Sequence, residues 1–258
     1  MTDGGSESEA SANFAQLLRH PEPVELWFQL AEIVGRRTYL RHGVQVREGD
    51  VVLDVGANVG VAAAYFASEC RAGLVHSFEP VEPLFRLLEG NLRAFPACVA
   101  HGYGLSSAPG EARITYYPGA TAMSSLYADT DEGRNRVRTF LLNRGVPEDR
   151  ARERLAALDD SVNLSCELRT LSSVLAEEAI KRVDLLKIDV EKAELDVLDG
   201  IDDDDWACIG QIVAEVHDEH GRLARISSRL AERGFSVTTE QDAVWAGTPM
   251  HMLYATRG

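Results

Sequence analysis

The chain has 258 residues, a net charge of −15, and 45% hydrophobic against 26% charged residues: enough to bury a sizeable core in one large domain, or in one domain with an appendage. So large an acidic excess argues against a nucleic-acid partner, because phosphates would be repelled; the arginines Arg134, Arg136, Arg138 and Arg144 are flanked by acids and read as a solvated helix face. No run of about 18 apolar residues exists to span a membrane, and Cys70, Cys98, Cys166 and Cys208 lack zinc or redox spacing, so the expectation is a cytoplasmic protein with reduced thiols and no membrane contact.

In chain order, residues 1–11 are polar and acidic, with nothing to bury and no signal-peptide pattern, and read as a disordered tail. Residues 12–48 follow as a helical N-terminal lid segment. Phe14, Leu17, Leu18, Leu26, Leu30 and Ile33 carry helical spacing, and Pro21 and Pro23 divide it into two short helices. The main domain is expected over 49–258. VVLDVG is a strand, VGVAAAYFASEC a helix, GLVHSFEP a strand, VEPLFRLLEGNLRAF a helix and CVAHGYGLS a strand. GEARITYYP follows closely and predicts an inserted hairpin. Ala128 to about Ser161 predicts a helical insertion over one end of the sheet. VDLLKIDV, GQIVAEVHD, FSVTTEQ and MHMLYATR are later strands, with helices at AELDVLDG and GRLARISSRLAERGF. Alternation of this kind implies a doubly wound parallel sheet. Only DAVWAGTP separates the last two strands, too short for a crossover helix, so that pair must be antiparallel.

The glycine turn VVLDVGANVG, Val51 to Gly60, points to a nucleotide-like ligand. It fails the dinucleotide pattern G-x-G-x-x-G, which would need glycines where Asn58 and Val61 stand, and it lacks the lysine of a phosphate-binding loop. What remains is D-x-G-x-N-x-G, with Asp54 two residues before Gly56. This suits S-adenosyl-L-methionine: Asp54 can help bind the ammonium, Gly56 and Gly60 let the backbone approach, and Asn58 belongs to the same turn. Glu79, ending the next strand, can take both ribose hydroxyls. The bland alternative is a helix cap at Asp54 and an ordinary strand exit at Glu79-Pro80.

DVGANVG, FEP, GLSS with GEARITYY, MSSLY, LLKIDVEKAELDVL and VAEVHD together resemble the FkbM family of methyltransferases over about Val51 to Arg257. The likeness is to O-methyltransferases of polyketide and nonribosomal-peptide pathways, where many members have Gly in place of Lys192. The resemblance implies a class I methyltransferase fold, Rossmann-like, with a seven-stranded sheet whose last strand is antiparallel. It also implies that Gly104, Leu105 and Ser106 flank the adenine.

A methyl donor arrives already activated, so the protein must align it with the acceptor and, for a hydroxyl, remove a proton. Asp189 ends an apolar strand at the donor's edge, with Lys187 two residues earlier on the same face. Glu191, Lys192 and Glu194 read as a charged first helical turn. His217 is the candidate base, as a neutral imidazole oriented by Glu215. His76 and His251 have no evident partner. A second mechanism uses Mg²⁺ on Asp189, Glu215, His217 and Asp218 with Lys192 nearby, as in catechol-type enzymes; the spacing is loose, and no metal ligands are assigned. Tyr116, Tyr117, Met123 and Tyr127 either border the acceptor or pack the insertion, and Trp27 and Phe28 cover the core or form a lid. The expected reaction is O-methylation of a small-molecule or carrier-tethered acceptor. Rivals are N-methylation or sugar O-methylation, a nicotinamide oxidoreductase, and a nucleotide-binding scaffold without catalysis. Oligomeric state is open, a homodimer among the options.

Overall fold

The computed structural model describes residues 14–128 and 130–257; the tail expected over 1–11 lies outside them. After a helical stretch over 14–17 comes α1 (Pro23–Leu30), which runs into a π-helical turn, Ala31–Gly35. Pro23 opens α1, where its missing N–H is no loss, so the prolines divide the segment as expected. The alternating part begins with β1 (Val51–Val55), α2 (Val61–Ser68), β2 (Leu74–Phe78), α3 (Glu82–Leu92), β3 (Cys98–His101), β4 (Gly104–Leu105) and β5 (Gly110–Tyr116). The insertion holds α4 (Thr130–Asn143) and α5 (Glu148–Leu155). Then come β6 (Val162–Arg169), α6 (Leu171–Glu177), β7 (Leu185–Ile188), α7 (Glu194–Asp199), β8 (Gln211–His217), α8 (Arg222–Glu232), β9 (Ser236–Glu240) and β10 (Met250–Thr256).

Seven strands form one sheet in the order β3-β2-β1-β7-β8-β10-β9. The pairs from β3 to β8 are parallel, and β10 lies antiparallel to both β8 and β9. The central strands are buried almost throughout, which is why VVLDV and LLKI read as apolar runs rather than alternating ones. Val52, Leu185, Val213 and Met252 pack on one face with α2, α3 and the N-terminal segment. Leu53, Leu186, Ile212 and Leu253 pack on the other with α6, α7 and α8. Strand alternation therefore puts Asp54, Lys187, Glu215 and His217 on the first face. Strand order reverses between β1 and β7, and the carboxyl ends of these two strands open the crevice used by ligands in such sheets.

The middle of the chain departs from expectation. CVAHGYGLS is two strands: β3 closes the main sheet, and β4 belongs to a second sheet of order β4-β6-β5. The expected hairpin between GLSS and GEARITYY does not form, because β6 lies between the two, parallel to β4 and antiparallel to β5. Asp159, Asp160 and Ser161 form the turn that separates β6 from the charged insertion before it, and Thr170 caps α6. No helix among the described residues is long and apolar enough to cross a membrane.

Candidate functional site

A cavity of about 210 Å³ lies at the carboxyl ends of β1, β2, β7 and β8, under the N-terminal segment and the insertion. One end of it is shaped by the glycine turn. Gly56 has φ +77°, and a Cβ there would stand 1.8 Å from the Asp189 carbonyl oxygen, so only glycine lets β1 and the β7 exit meet. Gly60 also has positive φ, but its free side faces Leu88 and Leu92 of α3. The space a side chain would need is thus taken by the protein itself at both glycines; the Gly56 backbone nonetheless lines the cavity, while Gly60 does not. Asn58 takes φ +50°, donates through Nδ2 to Thr121 Oγ1 at 3.1 Å, and so ties the turn to the insertion's leading loop.

Glu79 is buried and accepts from the amides of Asn58 (2.9 Å) and Val81 (2.8 Å). Burial pushes its carboxyl up to about 7 despite those two amides. A carboxylate offers about four lone-pair directions, so two remain for a diol. Gly104 and Leu105 line the cavity beside it with Val81 and Leu84, an apolar slot for a flat ring. Ser106 is buried and does not line the cavity.

Asp54 is fully buried and stands behind the wall. It lies opposite Lys187 in the β1–β7 register, and Lys187 Nζ sits 2.9 Å from its carboxylate. Direct contact of Asp54 with a ligand ammonium is therefore replaced by a buried ion pair. Lys187 also donates to the Gly56 carbonyl (2.8 Å), approaches Asp189 Oδ2 at 3.7 Å and lies over the Tyr39 ring. Burial alone would lower the Lys187 ammonium, but Asp54 and Asp189 carry it above its ordinary value.

The far end of the cavity carries Asp189, Glu191, Glu215 and Glu32. Tyr39 donates to Asp189 Oδ2 at 2.6 Å. Burial raises the Asp189 carboxyl, with Lys187 and Tyr39 opposing. Glu191 and Lys192 take left-handed φ values of 48° and 79°, rare for such residues, and this turn after β7 swings Glu191 inward. There Arg136 of α4 meets Glu191 Oε2 at 2.7 Å, and His217 Nε2 lies 3.1 Å from the same oxygen. Glu191 is held down to about 2: burial would raise it, but Arg136 and His217 outweigh burial. Lys192 points away to Glu132 and Glu219, at 3.1 and 2.7 Å.

His217 differs most from its sequence reading. It has no solvent exposure, and its Nδ1 is held at 2.8 Å by Glu194, not by Glu215. Burial opposes its charge, but Glu191 and Glu194 lift it to about 10. It is an imidazolium clamped between two glutamates rather than a neutral base. Glu215 instead faces the cavity without a hydrogen-bond or ion-pair partner among the described residues, and burial, then Asp189 and Glu191, push its carboxyl well above the usual range. The structure places Asp189, Glu215 and His217 near one another and adds Glu191, Glu194, Arg136, Lys187 and Tyr39, but of these His217 and Glu194 stand behind the cavity wall, as do Lys192 and Asp218. The segment 12–48 supplies Gln29, Glu32, Ile33, Thr38 and Tyr39 to that wall. Of the residues around MSSLY, Met123 lines the cavity, Tyr116 and Tyr117 are buried, and Tyr127 is exposed. Trp27 is exposed, while Phe28 packs edge-on against Phe140 of the insertion. His76 has a partner after all, His101 at 2.9 Å.

Sheet order, the lone antiparallel strand, and the glycine turn facing an acid on the next strand define a class I methyltransferase. The profile described as the Methyltransferase FkbM domain matches residues 54–237. The 31-O-demethyl-FK506 methyltransferase FkbM of Streptomyces tacrolimicus is 41% identical over 92% of this chain and 92% of its own. AMB antimetabolite synthetase AmbE of Pseudomonas aeruginosa is 41% identical over 88% of this chain, which spans 11% of that protein. Among solved structures, methyltransferase FkbM from Methylobacillus flagellatus KT aligns over 97% of this chain and 59% of its own, with 13% identity and a TM-score of 0.49. The chain belongs to the FkbM family of methyltransferases, whose relatives include natural-product pathway enzymes.

Proposed function

We propose that this protein moves the methyl group of S-adenosyl-L-methionine to a hydroxyl oxygen of a specialised metabolite, free or tethered to a carrier. The observation that carries the reading is the continuity of one cavity, from the Glu79 carboxylate and the slot at Gly104 and Leu105 to the carboxylates Asp189 and Glu215. Glu79 takes the ribose hydroxyls with the lone pairs its two amides leave. The apolar slot takes the adenine. The sulfonium then lies near Asp189, where acidic groups favour a cationic donor. Asp189 is held on its Oδ2 side by Tyr39 and Lys187, so it is fixed in place to receive the acceptor's proton. Oxygen as acceptor is supported by the Streptomyces relative, a 31-O-demethyl-FK506 methyltransferase.

Calorimetric titration of the purified protein with S-adenosyl-L-methionine, beside Glu79→Ala, tests this. Binding in the micromolar range that the variant loses supports donor and ribose role together. A folded protein that binds no S-adenosyl-L-methionine would overturn the reading. An acceptor screen then decides oxygen against nitrogen.

A further inference from the structure

We infer that Glu191, Glu215 and His217 form a binding site for one divalent transition-metal ion, of the kind Mn²⁺ represents, at the acceptor end of the cavity. One ligand atom from each of the three lies within 4.8 Å of the others. An octahedral ion with bonds of about 2.1 Å needs ligands about 3 to 4.2 Å apart, so a small side-chain movement closes the site. Two independent features point to a cation there. Glu215 has no hydrogen-bond or ion-pair partner among the described residues, although it stands beside Asp189 and Glu191. His217 Nε2 is buried and, although 3.1 Å from Glu191 Oε2, makes no aligned hydrogen bond; an ion bound there takes the place of the Nε2 proton that makes His217 an imidazolium in the metal-free chain.

The supporting shell has the form metal sites use. Glu194 holds Nδ1 of His217, which fixes the ring with Nε2 toward Glu191. Arg136 fixes Glu191 from outside. Glu215 and His217 are two residues apart on β8 and share a face; Glu191 reaches them through its left-handed turn. Around the cavity five carboxylates, Glu32, Glu79, Asp189, Glu191 and Glu215, face two cations, Arg136 and Lys187, and Lys187 is already paired with Asp54. The imidazole beside two carboxylates favours a transition-metal ion over Mg²⁺, which prefers all-oxygen surroundings, and Mn²⁺ serves as the probe of that class. This differs from the catechol-type ligand set, since Lys192 and Asp218 are not in the cluster.

The role of the ion rests on the methyl-transfer reading; its binding does not. Bound there, it would hold the acceptor oxygen at an open position. The O–H proton passes to Asp189, the new O–CH₃ bond forms as the S–CH₃ bond breaks, and the sulfonium leaves as a neutral thioether.

The test is titration of Mn²⁺ into the chelator-stripped full chain, without methyl donor, followed by the loss of the free-ion electron paramagnetic resonance signal. One ion per chain is expected, with Glu215→Gln and His217→Asn each weakening it by at least about tenfold and the surface variant Glu240→Gln leaving it unchanged. No binding by the wild-type chain up to millimolar Mn²⁺ overturns the inference. So does binding that Glu215→Gln and His217→Asn both leave intact, which would place the ion elsewhere. Because donor affinity is measured separately, failure here leaves the methyltransferase reading standing, and failure there leaves this site standing.

Discussion

The two ends of the cavity are built by different means. The donor end comes from consecutive strands, a glycine turn and backbone amides: Gly56 against the β7 exit, and the amides of Asn58 and Val81 on Glu79. The far end gathers polar and charged side chains from four distant segments: Tyr39, Arg136, Glu191 in its left-handed turn, and the end of β8. One end is thus fixed by local chain geometry and a single carboxylate. The other is fixed by mutual compensation among buried charges, where removing one partner strands another. The same fold can keep the first constant and vary the second, as an enzyme must when its donor is common and its acceptor particular.

The largest effect is expected where the two ends join. Lys187→Met removes the cation that holds Asp54 at 2.9 Å, both side chains being buried. Stranding a buried charge costs about 3–5 kcal/mol, to be read by urea unfolding. The double variant Lys187→Met/Asp54→Asn should recover part of that loss, since Asp54 no longer leaves a buried charge, while Asp189 and the Gly56 carbonyl still lose Lys187. A single variant as stable as wild type would show that Asp54 is neutral or solvated in the folded protein.

Next comes the separation of the ends. Glu79→Ala should weaken S-adenosyl-L-methionine binding by about ten- to a hundredfold, the worth of hydrogen bonds to a charged acceptor, about 1.5–3 kcal/mol. Asp189→Asn should leave donor affinity within about threefold and lower turnover by about a hundredfold, as expected for loss of a proton acceptor. If both variants change affinity equally, the two ends are not separable.

The pH dependence of donor binding sharpens the same point. Glu79 is raised from 4.5 to about 7. Between those values the folded, ligand-free protein holds a proton that the unfolded chain has lost, so this group's contribution to stability falls as pH rises through the window. The ribose needs the carboxylate, so donor affinity rises with pH through about 7. From pH 6 to pH 8 the ionised fraction grows about tenfold, and affinity should follow, while Glu79→Gln should flatten the profile. A flat wild-type profile would mean that Glu79 is ionised throughout or does not touch the ligand.

How much of this the residues disclose depends on how far apart the partners lie in sequence. Parallel strands, the glycine turn, the terminal antiparallel pair and Glu79 are written in local periodicity and spacing, and the structure has them. β6 is missed although VNLSCELR alternates apolar and polar residues after the turn residues Asp159, Asp160 and Ser161; what the sequence does not show is its partner, since it pairs with β5 across the whole insertion. At the site, Asp189 and Glu215 were visible as acids ending apolar strands. The Glu194–His217 contact joins residues 23 apart, and Arg136–Glu191 residues 55 apart, so neither shows in sequence. One signal was present: Asp54 and Lys187 are opposite charges on two apolar strands, and once β1 and β7 are neighbours such charges imply a pair rather than two ligand contacts.

The smallest expected effect concerns the turn that delivers Glu191. Lys192 holds φ at +79°, a conformation glycine takes without strain and a Cβ-bearing residue pays for, by about 1 kcal/mol. Its side chain compensates through Glu219 at 2.7 Å and Glu132 at 3.1 Å, which tie the turn to the β8 exit and to α4. Lys192→Ala loses both pairs and keeps the strain. Lys192→Gly loses the pairs and releases it. Gly should therefore be more stable than Ala by about 1 kcal/mol in thermal unfolding, although Gly is ordinarily the worse residue because it gains more entropy on unfolding. If Ala proves equal or better, the left-handed turn is not strained in solution. Glu191 would then need another reason to face Arg136 and His217.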